Sequence, residues 1–375
     1  MSSSSSAPVD QVDLLIRQFH QQVDPALLPL PQGATIIHPA LQSAIYESMF
    51  NEASVWPLPP IYYQARVLKM ILSRIEEAIA DPEEDEIHAD LIETWTSLIS
   101  QPKPSTIQQA QQLSYIKYTS PIPPPPTSQP RTVITSESRG LILSGGTTGF
   151  RTWEAALHLG TYLSTPAGES IISDKRVIEL GAGTGFVSMF CAAHLHPQYI
   201  LATDREPALI ENIRDCARRN QLQKASGSGS TQFGAAIWEW GTPLDIFSED
   251  SHGDNESSAT QPVATTGTVP GDKNPRIFDV ALGADLIYDV DLIPHLLSTL
   301  HDLFDNYRIS QFIISATLRN QNTFQTFLSA CVEENQFSTD CVPFEPLAPE
   351  KQKGFFYSTD VPIRIYRITR STNPA

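Results

Sequence analysis

A glycine-rich turn preceded by a carboxylate is the first place in this chain where chemistry could occur. Residues 176–186 form an apolar run that ends in Gly181, Gly183 and Gly185. Such a run is typical of a buried strand that turns abruptly into a helix, and glycines let a ligand approach the backbone there. Glu179, two residues before the first glycine, could hold an ammonium group.

A second carboxylate and the glycine spacing narrow the choice of ligand. The dinucleotide fingerprint G-x-G-x-x-G requires a glycine where this chain has Phe186. Residues 199–204 form a second apolar strand, and its last residue, Asp204, could accept hydrogen bonds from ribose hydroxyls. An ammonium site and a ribose site without a phosphate site indicate S-adenosylmethionine. A glycine-rich turn of some other α/β protein is the alternative.

Strands and helices alternate from Lys175 onward, which predicts a mostly parallel α/β sheet. The predicted strands cover residues 177–180, 199–204, 232–237, 278–283, 311–316, 339–342 and 363–368. Ligands bind beyond the carboxyl ends of parallel strands. Four residues therefore converge on one crevice: Gly181, Asp204, Trp240 and Asp285.

Asp285 and Tyr288 are the candidate catalytic residues. A lysine ε-amine has a free pKa of ~10.4 and must lose a proton before it attacks a methyl group. These two side chains are placed to orient such an amine and to receive its proton, directly or through water. Asp285 could equally cap a helix after the fourth strand. Trp240 offers a flat face for adenine, although it could be a core aromatic, and Trp238 competes with it.

These motifs together resemble the seven-β-strand S-adenosylmethionine-dependent methyltransferases. Asp285-Leu-Ile-Tyr288 is similar to the D-x-x-Y motif of the subgroup that methylates lysines in non-histone proteins. Residues 148–156 look like the segment with which that subgroup brings a tryptophan, here Trp153, onto the cofactor. The resemblance implies cofactor contacts at Trp153, Gly181, Ala182, Gly183, Asp204, Trp240 and Ala284. Glu179 is a further candidate cofactor-binding residue.

The N-terminal third predicts a separate helical domain. Apolar residues recur at helical spacing over residues 9–24, 39–52, 60–80 and 87–99, and residues 101–118 predict another short helix. The Pro-rich residues 119–130 predict an extended linker. We therefore expect a substrate-recognition domain over 1–118 and a methyltransferase domain over 131–375, in which the polar residues 248–275 form a flexible insert.

A helical domain ahead of these motifs is similar to the elongation factor 2 lysine methyltransferases. The resemblance implies transfer of methyl from S-adenosylmethionine to a lysine of translation elongation factor 2, in the cytoplasm. A methyltransferase that acts on another protein or on a small molecule is one alternative. A non-catalytic adaptor on the same fold is another.

Composition argues against several other functions. The formal net charge of −17 would repel a phosphate backbone, so we expect no nucleic-acid partner. No run approaches the ~20 apolar residues that a membrane span needs, so we expect no membrane segment. The 4 cysteines are scattered, which predicts neither a disulfide framework nor a metal site.

Overall fold

The computed structural model describes residues 7–122, 129–140, 147–222, 231–244, 278–333 and 336–371. The chain forms two compact units. The first comprises Met1–Thr152 and Leu347–Ser358, and the second comprises Trp153–Pro346 and Thr359–Ala375.

In the residues that the structure describes, the first unit contains five α-helices around an apolar core. They are α1 (Ala7–His20), α2 (Pro39–Ile45), α3 (Ile61–Ala78), α4 (Ala89–Ser100) and α5 (Thr106–Gln111). A π-helical turn, Tyr46–Phe50, continues α2. Apolar residues at helical spacing, such as Phe19, Val67 and Ile71, are fully buried in one cluster. The predicted helical N-terminal region is confirmed.

A two-stranded sheet in the first unit differs from the prediction. The strands are β1 (Leu113–Thr119) and β2 (Thr132–Ser138), and they pair antiparallel. Residues 113–118 were expected to be helical, and that prediction is wrong. Tyr115, Ile116 and Tyr118 are aromatic or β-branched residues, which favour a strand, and a partner beyond the Pro-rich segment is available to them.

The first unit also takes in a segment from near the C-terminus. The Gln21 side chain donates to the Phe356 carbonyl and accepts from its amide at 2.9 Å, and the Phe355 amide donates to the Thr119 carbonyl at 3.0 Å. The division expected at residues 119–130 therefore differs from the one observed, because paired strands flank that segment. Of the predicted linker, residues 123–128 lie outside the described residues.

The second unit is built on a seven-stranded sheet. Its strands are β3 (Arg176–Leu180), β4 (Tyr199–Asp204), β5 (Gln232–Ile237), β6 (Val280–Ala284), β7 (Gln311–Thr317), β8 (Phe337–Val342) and β9 (Ile363–Arg370). The order is β5-β4-β3-β6-β7-β9-β8. The first five strands are parallel, and β9 is antiparallel to both of its neighbours. The expected mostly parallel sheet of seven strands is confirmed.

Within the described part of the second unit, six α-helices accompany this sheet. They are α6 (Glu154–Leu163), α7 (Pro166–Ile172), α8 (Phe186–His194), α9 (Pro207–Arg219), α10 (Ile293–Asp305) and α11 (Gln321–Glu333). The chain order reverses at β3, which pairs with β4 on one side and β6 on the other. Such a switch point opens a crevice at the carboxyl ends of the strands.

Two expectations concern the surroundings of the sheet. The predicted insert at residues 248–275 lies outside the described residues. In the part of the chain that the structure describes, no helix has the length and apolar character to cross a membrane.

Candidate active site

The glycine turn after β3 has the backbone conformation that its sequence predicts. Gly181, Gly183 and Gly185 have φ angles of 56°, 54° and 74°. These left-handed values strain residues with a Cβ atom. A Cβ on Gly181 would also lie 2.8 Å from Leu286 Cδ2, and one on Gly185 would lie 2.9 Å from Ile213 Cγ1. The turn therefore depends on glycine for both conformation and space.

Three amide groups of this turn donate to atoms of the protein itself. Ala182 N donates to the Thr203 carbonyl at 2.8 Å, and Gly185 N donates to the Ala182 carbonyl at 2.8 Å. Gly183 N donates to Asp204 Oδ2 at 3.0 Å. These donors are not directed at a ligand, in contrast to the amides of a phosphate-binding loop. The turn suits a ligand without phosphate groups.

Asp204, the last residue of β4, lies against the glycine turn. Its second oxygen, Oδ1, accepts from Glu206 N at 3.2 Å. Burial raises the pKa of Asp204, and the amide hydrogen bonds, with Gly183 first, oppose that rise. Each carboxylate oxygen has more than one acceptor position. Capacity therefore remains for the ribose hydroxyls of a nucleoside, and the residue fits the predicted role.

Glu179 is buried beneath the turn, with 3% of its surface exposed. Its Oε2 accepts from Ser188 N of α8 at 2.9 Å and from the Ser188 hydroxyl. Burial raises the pKa of Glu179 to about 7, and the Ser188 hydrogen bonds oppose this. The carboxyl group thus connects β3 to α8. Its contact with an ammonium group stays a prediction, and sequence reasoning missed Ser188.

The two candidate tryptophans occupy different environments. Trp238 is 3% exposed, and its Nε1 donates to the Thr242 carbonyl at 2.9 Å, so it is a core residue. Trp240 is half-buried, and its Cζ2 lies 3.5 Å from the position of a Cβ on Gly181. Gly241 has a φ of 83°, a left-handed value that forms a tight turn directly after Trp240. Trp240 is therefore the better candidate for a cofactor contact.

Asp285 follows Ala284, the last residue of β6, and its carboxylate is well bonded. Oδ1 accepts from Thr317 N at 2.7 Å, and Oδ2 accepts from Thr317 Oγ1 at 3.0 Å and from Arg319 Nη1 at 3.1 Å. These contacts join Asp285 to the end of β7, so Asp285 does not cap a helix. The nearby short helix is capped by Asp289 instead. Burial raises the pKa of Asp285, and the Thr317 amide and Arg319 oppose that rise.

Tyr288 lies in a different environment from Asp285. The tyrosine is 67% exposed, whereas the Asp285 side chain is 11% exposed. A role for its hydroxyl at the reacting amine stays a prediction. Leu286, between them in sequence, is buried and packs close to Gly181. The segment that carries Asp285 therefore lies beside the glycine turn.

Trp153 and Glu154 meet the Asp285 segment through an arginine that sequence reasoning missed. Arg319 Nη2 donates to Glu154 Oε2 at 2.6 Å, and its guanidinium carbon lies 5.0 Å from the Trp153 ring centroid. Arg319 lies two residues beyond β7, at the same sheet edge as Asp285. Its place just after the fifth predicted strand was the only sign of it in the sequence.

The fold and the site together define a class of protein. The strand order, the glycine turn after β3 and the acid at the end of β4 are those of the S-adenosylmethionine-dependent methyltransferases. Within this class, residues 143–254 match the family described as lysine methyltransferase.

Known proteins similar to this chain share that activity. A Chaetomium thermophilum relative named Protein-lysine N-methyltransferase EFM3 is 37% identical over 343 residues, which cover 92% of this chain and 94% of the relative. The Saccharomyces cerevisiae protein of the same name is 26% identical and covers 82% and 85%. The human Protein-lysine N-methyltransferase EEF2KMT is 27% identical and covers 52% and 53%.

The chain belongs to the lysine methyltransferase family. It is an enzyme, a protein-lysine N-methyltransferase, and its cofactor is S-adenosylmethionine. The residues observed at the glycine turn fit this cofactor, because they offer an aromatic face and a carboxylate in place of phosphate-binding amides.

Proposed function

We propose that this enzyme methylates a lysine of translation elongation factor 2. The observation that carries the proposal is the likeness to the human protein named Protein-lysine N-methyltransferase EEF2KMT. The likeness to proteins named EFM3 extends beyond the sheet to the N-terminal helices and supports methylation of a protein lysine, which the proposal requires. The motifs around Trp153 and Asp285 also resemble the elongation factor 2 lysine methyltransferases.

The proposed roles of the cofactor-binding residues follow from the geometry of the second unit. S-Adenosylmethionine, when bound, supplies a methyl group on a positively charged sulfur. The Asp204 carboxylate would accept hydrogen bonds from the ribose hydroxyls, while the Trp240 ring would cover the adenine. Glu179, Gly181, Ala182, Gly183, Trp153 and Ala284 would complete the cofactor site. The missing Cβ of Gly181 leaves room for Leu286 and Trp240 to pack against the glycine turn.

Asp285 and Tyr288 would act on the acceptor. Asp285 would orient the lysine amine at the sheet edge, and its raised pKa favours receipt of a proton through water. Alignment of the amine with the methyl group would supply much of the rate enhancement. Tyr288, exposed at the surface, would contact the arriving side chain.

The first unit would recognise the folded substrate in the cytoplasm. The acidic character of the chain, with a net charge of −17, suits a partner that presents a basic surface around the target lysine. The same charge disfavours nucleic acid.

The test uses a lysate from cells that lack this enzyme. Wild-type protein and the Asp285→Ala variant are each incubated with the lysate and labelled S-adenosylmethionine, and labelled proteins are identified by mass spectrometry. We expect the wild type to label one lysine of elongation factor 2 and the variant to label it far less. Label on a different protein, with none on elongation factor 2, would overturn the proposed substrate.

A further inference from the structure

The guanidinium of Arg319 joins residues from two separate segments of the second unit. It donates to Asp285 Oδ2 at 3.1 Å and to Glu154 Oε2 at 2.6 Å, and it lies 5.0 Å from the Trp153 ring centroid. We propose that Arg319 is a positioning residue of the methyl-transfer site. It holds the carboxylate of Asp285 and the ring of Trp153 in one fixed arrangement.

The chemistry of arginine suits this task. A guanidinium is planar and has several N–H donors, so it can bind two carboxylates at once while it lies near an aromatic ring. The Asp285 and Glu154 side chains are 11% and 21% exposed, and both carboxylates converge on this one cation. Without the cation, the two negative charges would be left close together at a partly buried site.

The position of Arg319 along the chain supports the same role. Thr317, which ends β7, binds Asp285 through both its amide and its hydroxyl, and Arg319 follows two residues later. One short segment therefore supplies three hydrogen bonds to the Asp285 carboxylate. Asp285 itself has a φ of 51°, a conformation that a residue with a side chain adopts only when its surroundings hold it.

Electrostatics gives the proposal a measurable consequence. Among the described residues, the charged groups at this cluster are Arg319, after β7, and Glu154, at the start of α6. Burial raises the pKa of Asp285 and Arg319 opposes that rise. Removal of the guanidinium should therefore raise this pKa further, and the carboxylate should protonate at a higher pH.

An ordinary surface ion pair is the competing explanation. Arg319 is partly exposed, and exposed ion pairs contribute little to stability. Such a pair would leave cofactor affinity and the pH profile unchanged. The proposal rests on the proposed cofactor and acceptor roles of Trp153 and Asp285, whereas it does not depend on the identity of the protein substrate.

The experiment compares Arg319→Met and Arg319→Lys with a matched control, Arg364→Met. Arg364 lies on β9 in the same unit, pairs with Glu345 at 3.4 Å, and has 42% of its side chain exposed against 45% for Arg319. Calorimetry measures the affinity of each full-length protein for S-adenosylhomocysteine. The pH dependence of methyl transfer and the thermal unfolding midpoint are measured alongside.

We expect Arg319→Met to bind S-adenosylhomocysteine about tenfold more weakly. The variant loses the charge-assisted contacts of the guanidinium with Asp285 and Glu154, so the Trp153 ring is no longer held in place. The acidic limb of its pH profile should move to higher pH. Arg319→Lys should restore the acidic limb, because it keeps the charge, but it should not restore the affinity, because lysine cannot form both contacts and cover the ring. The control should match the wild type.

Wild-type affinity and pH profile in Arg319→Met would overturn the proposal. If that variant does not fold, Arg319→Lys decides alone, and unchanged affinity in it overturns the proposal equally. Failure of the wild type to methylate elongation factor 2, with normal cofactor binding, would contradict the proposed substrate only. The binding comparison would still decide the role of Arg319.

Discussion

Glu179 is an ionisable group in the interior of the second unit. Its ordinary pKa is 4.5, and burial raises the pKa to about 7 in the folded protein. The folded state therefore keeps a proton that the unfolded chain has lost between these two values. The free energy of unfolding should fall as pH rises through this window, by about 3 kcal/mol in total.

Replacement of Glu179 by Gln should remove this pH dependence. Gln keeps an oxygen for the Ser188 donors and has no proton to lose. We expect the free energy of unfolding of Glu179→Gln, relative to that of the cofactor-free wild type, to be higher at about pH 8 than at about pH 5. Urea unfolding at both pH values measures it, with the exposed Glu345→Gln as control. If the difference in the free energy of unfolding between Glu179→Gln and the wild type were the same at both pH values, Glu179 would not be buried in a protonated state.

Asp204 allows a second test on a single side chain. Asp204→Asn should weaken S-adenosylhomocysteine binding about 10- to 100-fold, because a charged acceptor for the ribose hydroxyls is lost. Calorimetry on full-length protein measures the affinity. Asp215→Asn is the control, since Asp215 lies on α9 and pairs with Arg218 and Arg219. Equal affinities for the two variants would count against ribose recognition by Asp204.

The glycine turn between β3 and α8 is an element whose function depends on a missing atom. Gly181→Ala should cost about 1–2 kcal/mol through its left-handed conformation. It should also weaken cofactor binding, because the new Cβ would displace Leu286. Gly33→Ala is a matched control, since Gly33 has the same φ of 56° but no atom within 4 Å of the new Cβ.

The two glycine variants separate conformation from space. We expect similar backbone strain in both, measured by urea unfolding, and a loss of affinity for S-adenosylhomocysteine in Gly181→Ala alone. Normal cofactor affinity in Gly181→Ala would show that the turn does not approach the ligand as proposed.

The elements that sequence reasoning predicted are those with strong local patterns. The seven strands of the large sheet follow from apolar runs, and the glycine turn follows from residue types that allow positive φ. β1 was missed because its partner lies beyond a Pro-rich segment, so local spacing did not reveal the pairing. Arg319 was missed for the same reason, since its partners Asp285 and Glu154 are 34 and 165 residues away in sequence.

In the molecule as a whole, the two units do not correspond to two consecutive stretches of chain. The first unit includes Leu347–Ser358, which is held by Gln21 and by the Thr119 carbonyl of β1. A cut at the Pro-rich segment would separate β1 from β2. It would also leave the buried backbone groups of Phe356 without their side-chain partner, which is costly.

A fragment of residues 131–375 should therefore be less stable than the full chain. We expect a lower thermal unfolding midpoint and fast amide hydrogen exchange in residues 132–137, which lose β1, and at Phe355 and Phe356, whose amides lose their partners Thr119 and Gln21. Full-length protein is the reference for both measurements. Protection of these amides in the fragment, equal to that in the full chain, would contradict the observed division into units.

The proposal that this lysine methyltransferase acts on elongation factor 2 is best examined on elongation factor 2 taken from cells. The measurement is mass spectrometry of its peptides from cells that lack the enzyme and from cells restored with wild-type protein or Asp204→Asn. We expect one lysine that is methylated with the wild type, unmethylated without it and poorly methylated with the variant. The same methylation pattern in all three would show that elongation factor 2 is not the substrate.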